Sequence, residues 1–150
     1  MDIQIRRCSI DEVAVLANLE PPGQDFAAKM FNLQLVGRCD FLVAWLGDEP
    51  VGSAELTKDE SPELKNLKVR AGHRGKGIGT KLVEAAEHAI GASGSLSLGV
   101  ATDNPRAASL YERLGYERTG VFSDSTYEYV DDEGTRRTAT ETDEMLTKHW

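Results

Sequence analysis

Val69-Arg70-Ala71-Gly72-His73-Arg74-Gly75-Lys76-Gly77-Ile78-Gly79-Thr80-Lys81 is the stretch on which the reading of the fold turns, with Gly75, Gly77 and Gly79 at alternate positions. Just before it, apolar Leu64, Leu67 and Val69 mark a strand. Just after it, Ile78, Leu82, Val83, Ala86, Ala89 and Ile90 recur at helical spacing as far as Gly91. The unit is therefore strand, glycine-rich turn, helix. Glycines let a backbone approach a ligand closely, and the free N–H groups of a helix start bind phosphate, so the turn reads as a pyrophosphate cradle. Two common phosphate-binding patterns do not fit it. G-x-x-x-x-G-K-[ST] matches Gly72 and Gly77 but meets Ile78 where lysine is required, and G-x-G-x-x-G begun at Gly75 or Gly77 meets Thr80 or Leu82 at its last position.

Charge around the turn agrees with an anionic ligand. Lys65, Lys68, Arg70, Arg74, Lys76 and Lys81 fall within 17 positions that hold no acid. The chain as a whole carries 17 basic and 25 acidic residues in 150, a formal charge of −8, which repels a polyphosphate backbone and argues against nucleic acid as a partner. In Glu63-Leu64-Lys65-Asn66-Leu67-Lys68-Val69 the period of two slips once, as an inserted bulge residue would make it, and a bulge there splays the strand from its neighbour.

Working outward, Ile3 and Ile5 suggest a short strand, and Val13, Leu16, Ala17 and Glu20 a helix that stops at Pro21-Pro22-Gly23. A second helix fits Phe26 to Val36, with Phe26, Met30 and Leu33 on one stripe and Gly37 at its end. Phe41 to Leu46 and Val51 to Leu56, separated by Gly47-Asp48-Glu49-Pro50, describe a hairpin. Leu96, Leu98 and Val100 supply another strand. Asn104 as N-cap, Pro105 in the first turn and Gly115 as C-cap delimit a short helix. Tyr116 to Val121, Thr126 to Val130 and Arg136 to Lys148 read as strands around the turn at Asp131-Asp132-Glu133-Gly134. The order β α α β β β α β α β β implies one α/β domain over residues 1–150, a mixed sheet with helices on its faces.

Composition bounds the rest. The longest apolar run, Phe41 to Leu46, is six residues, short of the roughly 18 that a spanning helix needs, so no membrane role is expected. The first ten residues interleave charge with single apolar positions and lack the continuous apolar core of a secretion signal, which points to the cytoplasm. The two cysteines, Cys8 and Cys39, have neither redox nor metal-cage spacing and read as buried packing residues, so no metal is expected. The acidic stretch Asp124 to Glu144 reads as a solvated hairpin.

Arg74-Gly75-Lys76-Gly77-Ile78-Gly79 resembles the acetyl-CoA signature R/Q-x-x-G-x-G/A of the GNAT superfamily of N-acetyltransferases. Asn104-Pro105-Arg106-Ala107-Ala108-Ser109-Leu110-Tyr111-Glu112-Arg113-Leu114-Gly115-Tyr116 is similar to that family's N-x-x-A-x-x-L-Y-x-x-x-G-F block, and Leu64 to Val69 to its splayed fourth strand. The resemblance is close over Glu63 to Tyr116. Ala71 departs from a frequent proline and Tyr116 from the commoner phenylalanine. It implies the family's fold, a single-domain α/β (α+β) arrangement whose mostly antiparallel mixed sheet has a splayed central strand pair and helices on both faces. It also implies acetyl-CoA as co-substrate. In that reading the amides of Arg74, Gly75, Lys76, Gly77, Ile78, Gly79 and Thr80 hold the pyrophosphate, Leu67 and Val69 pair with the pantetheine arm, and Asn104 bonds it from the other side.

Acetyl transfer to an amine needs a neutral nucleophile, oxyanion stabilisation and a proton for the departing thiolate. Glu63, 11 residues before Arg74, stands where some members carry the general base; the other reading is a solvent-facing glutamate at a strand end. Tyr111 stands where many members have the general acid, and a phenol of pKa about 10 can protonate an alkyl thiolate; the other reading is a packing tyrosine beside Ala107, Leu110 and Leu114. A strand amide near Leu67 to Val69 would meet the oxyanion. His73 falls in the phosphate turn, and His88 and His149 read as surface residues.

The acceptor follows from no motif. The Pro21 to Asp25 loop and the acidic segment Asp124 to Glu144 would flank the cleft, favouring a cationic amine such as a small-molecule amine, a polyamine, or a peptide N-terminus or lysine. A CoA-sensing regulator without turnover and an acyltransferase using another acyl-CoA or a hydroxyl acceptor are the competing readings. Monomer and homodimer both remain open.

Overall fold

The computed structural model describes residues 2–150. Its elements are β1 (Ile3–Arg7), α1 (Ile10–Ala17), α2 (Phe26–Leu35), β2 (Cys39–Leu46), β3 (Glu49–Thr57), β4 (Glu63–Val69), α3 (Ile78–Ile90), β5 (Ser95–Ala101), α4 (Pro105–Arg113), β6 (Glu117–Val130) and β7 (Arg136–His149). The order matches the sequence reading. The seven strands form one sheet, β1-β2-β3-β4-β5-β7-β6, antiparallel except for β4 with β5. Among the described residues no helix is long and apolar enough to cross a membrane.

Both faces of β2 are buried, which is why its sequence is apolar without alternation. Phe41, Val43 and Trp45 pack with Cys8, Ala27, Met30 and Phe31 under α1 and α2. Leu42 and Ala44 face the other way, into the core beneath α3 and α4 with Val51, Ile78, Leu82, Val83, Leu96 and Leu98. Both cysteines are buried packing residues, as expected. Gln34 pins α2 to the sheet: its Nε2 donates to the Cys8 carbonyl at 2.8 Å, and its Oε1 accepts from the Phe41 N–H at 2.8 Å. A buried amide with both ends satisfied fixes orientation without an unmet polar group.

Gly52 lies where α3 crosses the sheet. A Cβ there would stand 3.0 Å from the Lys68 carbonyl and 3.1 Å from Ile78 Cγ2, so only glycine admits this approach.

The C-terminal region differs from its sequence reading. Residues 122–125, read as a break, are paired strand, because β6 runs unbroken from Glu117 to Val130. The ladder's irregularity lies earlier, inside the stretch Tyr116 to Val121 read as strand: between Arg118↔Leu146 and Phe122↔Glu144, three residues of β6 oppose one of β7, with Gly120 at φ 74°. The acidic hairpin is also not wholly solvated. Glu144 is buried, paired with Arg118 Nη1 at 3.0 Å and accepting from the Gly120 N–H at 3.2 Å, so it clamps the bulge.

Candidate active site

The site begins with a failure of pairing. On one side of β4, Lys68 pairs with Ser53 and Lys65 with Glu55, so Asn66 and Leu67 share the place opposite Ala54. Asn66 adopts φ 53°, a left-handed conformation that asparagine tolerates better than other side-chain-bearing residues, and its Nδ2 donates to Glu55 Oε1 at 3.0 Å. On the other side, β4 and β5 pair only at Glu63↔Ser97 and Leu64↔Leu98. Beyond Leu64 and Leu98 the strands diverge, as the slipped period predicted.

The gap widens into a cleft of about 1240 Å³. Its walls are the diverging strands, with Lys65, Asn66 and Leu67 opposite Gly99, Val100 and Ala101, together with Asn104, Ala107 and Tyr111 of the α4 region. The α1–α2 loop, through Gly23 to Phe26, and the β6–β7 hairpin close its far end.

At the end of β4 the chain enters the glycine turn. The Arg70 N–H donates to the Val51 carbonyl at 2.9 Å, and the Arg70 guanidinium meets Glu49 at 3.1 Å, fixing where the turn begins. Gly75 and Gly77 take φ 77° and 79°, a region costly to residues with a Cβ, which explains two of the three alternate glycines. The consequence is a row of donors. Among the described residues nothing accepts a hydrogen bond from the backbone N–H groups of residues 74–80; the first engaged amide of α3 is that of Lys81, which donates to the Gly77 carbonyl at 3.1 Å. Lys68, Arg74, Lys76 and Lys81 have no carboxylate within ion-pair distance among the described residues, so the positive field over the turn is largely uncompensated. Arg74 itself folds back, its Nε donating to the Val69 carbonyl at 3.1 Å.

Asn104 lines the cleft while its Oδ1 caps α4 by accepting from the Ala107 N–H at 3.1 Å. Tyr111 is half-buried, edge-to-face with Tyr116 at 6.4 Å, and burial pushes its phenol above the ordinary value. Its place on the cleft wall is compatible with packing and with proton donation. Glu63 also lines the cleft. Its backbone N–H donates to Thr57 Oγ1 at 2.8 Å, and its carboxylate lies 3.6 Å from Lys65 Nζ.

The structure thus brings Glu63, Leu67, Asn104 and Tyr111 into one cleft, with Val69 and residues 74–80 continuing from the end of β4. His73 sits in the turn 3.5 Å from Glu49; His88 and His149 are exposed, away from the cleft. The acidic segment flanks the cleft as expected, and what sequence reasoning did not supply is which of its residues face inward: Ser123, Ser125, Tyr127, Tyr129, Glu141 and Asp143 line the far wall. They alternate along their strands, but only the β6–β7 register shows that they share a face.

Residues 9–116 match the family model described as the acetyltransferase (GNAT) family. A mycothiol acetyltransferase of Corynebacterium glutamicum (strain R) is 38% identical over 82 residues, which cover 51% of this chain and 28% of that protein. The chain spans about a quarter of the length of the curated relatives it matches. Among solved structures, the PaiA N-acetyltransferase from Thermoplasma acidophilum in complex with coenzyme A aligns over 100% of both chains at 19% identity and a TM-score of 0.67. The ribosomal-protein-S18-alanine N-acetyltransferase from Escherichia coli aligns over 99% of this chain and 94% of its own at 18% identity and a TM-score of 0.68. With the strand order, the split pair and a family match over most of its length, the chain belongs to the acetyltransferase (GNAT) family.

Proposed function

We propose that residues 1–150 act as one N-acetyltransferase domain that moves the acetyl group of acetyl-CoA to a primary amine by direct attack in a ternary complex. The observation that carries this reading is the run of unengaged amides at residues 74–80 directly beyond the split between β4 and β5. Those amides, the start of α3 and the unpaired Lys76 and Lys81 suit a pyrophosphate. The edge of β4 at Leu67 and Val69 has lost its β5 partner and offers backbone groups to an extended amide-bearing arm such as pantetheine. Asn104 faces that arm from α4, its amide nitrogen free of the capping bond. When bound, acetyl-CoA supplies the activated acyl group.

Chain residues do the proton work. An ammonium must lose a proton before its nitrogen can attack, and the cleft carboxylate of Glu63 accepts it directly or through water. A backbone N–H of the bulged segment at Leu67 to Val69 stabilises the oxyanion. Tyr111 donates its phenolic proton to the departing thiolate, and its burial keeps that proton in place at neutral pH. The amine's second proton replaces the one that Tyr111 gives up, so the net products are the amide, the thiol and one proton.

The test is acetyl-CoA-dependent thiol release at about pH 8 across small amines, polyamines, aminoglycosides and peptides with free N-termini or lysines. Turnover with one class supports the reading and identifies the acceptor. A folded protein that binds CoA yet turns over none of them supports a CoA-binding regulator instead. Glu63→Gln then separates the base from a bystander: an unchanged pH profile removes Glu63 from the mechanism.

A further inference from the structure

Tyr116 stands where phenylalanine is commoner, and its extra hydroxyl is engaged. The side chain is buried in the core beneath α3 and α4, so the hydroxyl needs a partner inside the protein. It donates to Glu87 Oε2 of α3 at 2.8 Å, and burial together with that carboxylate raises the phenol's pKa, which keeps it a donor. Glu87 is neutralised in turn by Lys148 of β7, whose Nζ lies 3.2 Å from each carboxylate oxygen. The Lys148 stem also lies against Gly115. A Cβ at Gly115 would stand 3.2 Å from Lys148 Cε, and Gly115 takes φ 100°. Thus α3 and β7 together grip residues 115–116, directly after α4.

This grip matters because α4 has little hold of its own. Of its nine residues only Ala108 is buried, with Ala107, Tyr111 and Leu114 partly so. Asn104 caps its start, but that bond lies within the helix's own first turn. Arg118 meets Glu112 at 3.2 Å, yet both side chains are about half exposed and a pair in water holds weakly. Tyr116 touches Tyr111 twice. Its backbone N–H donates to the Tyr111 carbonyl at 3.0 Å, and its ring stands edge to face with the Tyr111 ring at 6.4 Å. Tyr111 lines the cleft, whereas Tyr116, Glu87 and Lys148 do not.

We propose that Tyr116, anchored through its hydroxyl to Glu87 and Lys148, is the positioning residue that holds Tyr111 in place as proton donor to the departing thiolate. This rests on the acetyl-transfer reading and deepens it with residues that touch neither substrate nor cofactor. Proton transfer needs the phenol within hydrogen-bond reach of sulfur, and a helix end free to rock takes it out of reach.

The experiment is fluorine NMR of the full chain labelled with 3-fluorotyrosine, in which the Tyr111 signal is the one missing from Tyr111→Phe. Spectra are recorded for the wild type, Tyr116→Phe, Glu87→Ala and Glu87→Gln, alone and with CoA or desulfo-CoA, with thermal melts confirming that all fold. Among the described residues no hydrogen bond joins Glu87 to Tyr111, so an effect of Glu87→Ala on the Tyr111 signal travels through the anchor. In Tyr116→Phe and Glu87→Ala that signal moves toward its position in the unfolded protein. Glu87→Gln, whose amide oxygen still accepts from the hydroxyl, returns it toward wild type. A Tyr111 signal unmoved in Glu87→Ala overturns the proposal. With an amine that is turned over, Tyr116→Phe lowers kcat about threefold to tenfold at unchanged acetyl-CoA KM and adds nothing to Tyr111→Phe; losses that add instead overturn it. An equal response of wild-type Tyr111 to CoA and to desulfo-CoA, which lacks the thiol, is a different result. It removes Tyr111 as the thiolate's donor, while the spectra without CoA still decide whether the anchor holds Tyr111.

Discussion

Gly77→Glu tests the proposed phosphate cradle most directly, with Gly77→Ala as its control. Gly77 sits at φ 79°, and a Cβ built there meets nothing within 4 Å, so the alanine variant faces no steric clash, only backbone strain. That strain is about 1–2 kcal/mol and is present with and without ligand, so it lowers stability, and Tm by roughly 2–8 °C, while leaving CoA affinity nearly intact. Glutamate adds a charge. A carboxylate about 6 Å from a pyrophosphate oxygen repels it by about 3 kcal/mol per unit charge at an effective dielectric constant near 20, and screening at physiological salt cuts this to about half. CoA affinity should fall by about 10- to 100-fold for Gly77→Glu and by less than about threefold for Gly77→Ala. Titration calorimetry at two salt concentrations measures both effects, and the glutamate penalty should shrink at the higher one. A glutamate variant that melts at the same lowered temperature as the alanine variant and yet binds CoA within threefold of wild type would refute the placement of the anion at this turn.

Other outcomes follow from the same geometry. Because Asn66 holds φ 53° at the bulge, Asn66→Gly should change stability by less than about 0.5 kcal/mol, whereas Asn66→Val should cost about 1–3 kcal/mol and weaken CoA binding; urea melts and calorimetry check both. Tyr111→Phe should lower kcat about 100-fold at constant acetyl-CoA affinity, and because burial raises the phenol's pKa, the alkaline limb of wild-type kcat due to this group should lie above about pH 10. Cys8 and Cys39 are each raised from 9.0 to about 11 by burial, so the folded chain keeps protons that the unfolded chain releases. Their contribution is complete below pH 9 and is lost as pH rises toward about 11, so denaturant midpoints should fall across that window and fall less in Cys8→Ala.

The strand, glycine turn and helix from Leu64 to Ile90 were legible because each rests on local rules. A slipped period of two means a bulge, alternate glycines mean backbone that side chains would strain, and apolar residues at helical spacing mean one buried stripe. Asn104 and Gly115 marked their helix for the same reason. Glu63, Leu67, Asn104 and Tyr111 line one cleft. The hairpin was read less well. The break assigned to residues 122–125 is paired strand, since Ser123-Asp124-Ser125 has the composition of a loop while the ladder runs through it, and the real irregularity, the bulge at residues 119–121, falls inside the stretch read as strand.

By itself the sequence determined the order of elements, the position of the bulge in β4 and the glycine-rich turn, since all three are written in residues that neighbour one another along the chain. Only the tertiary structure decided how far β4 and β5 separate and which acids line the gap. Glu141 and Asp143 look like any other members of an acidic hairpin until register sets them opposite Ser125 and Ser123 and beside Gly99. Register is a relation between strands distant in sequence, and a strand's own period of two is the same whichever partner residue it faces.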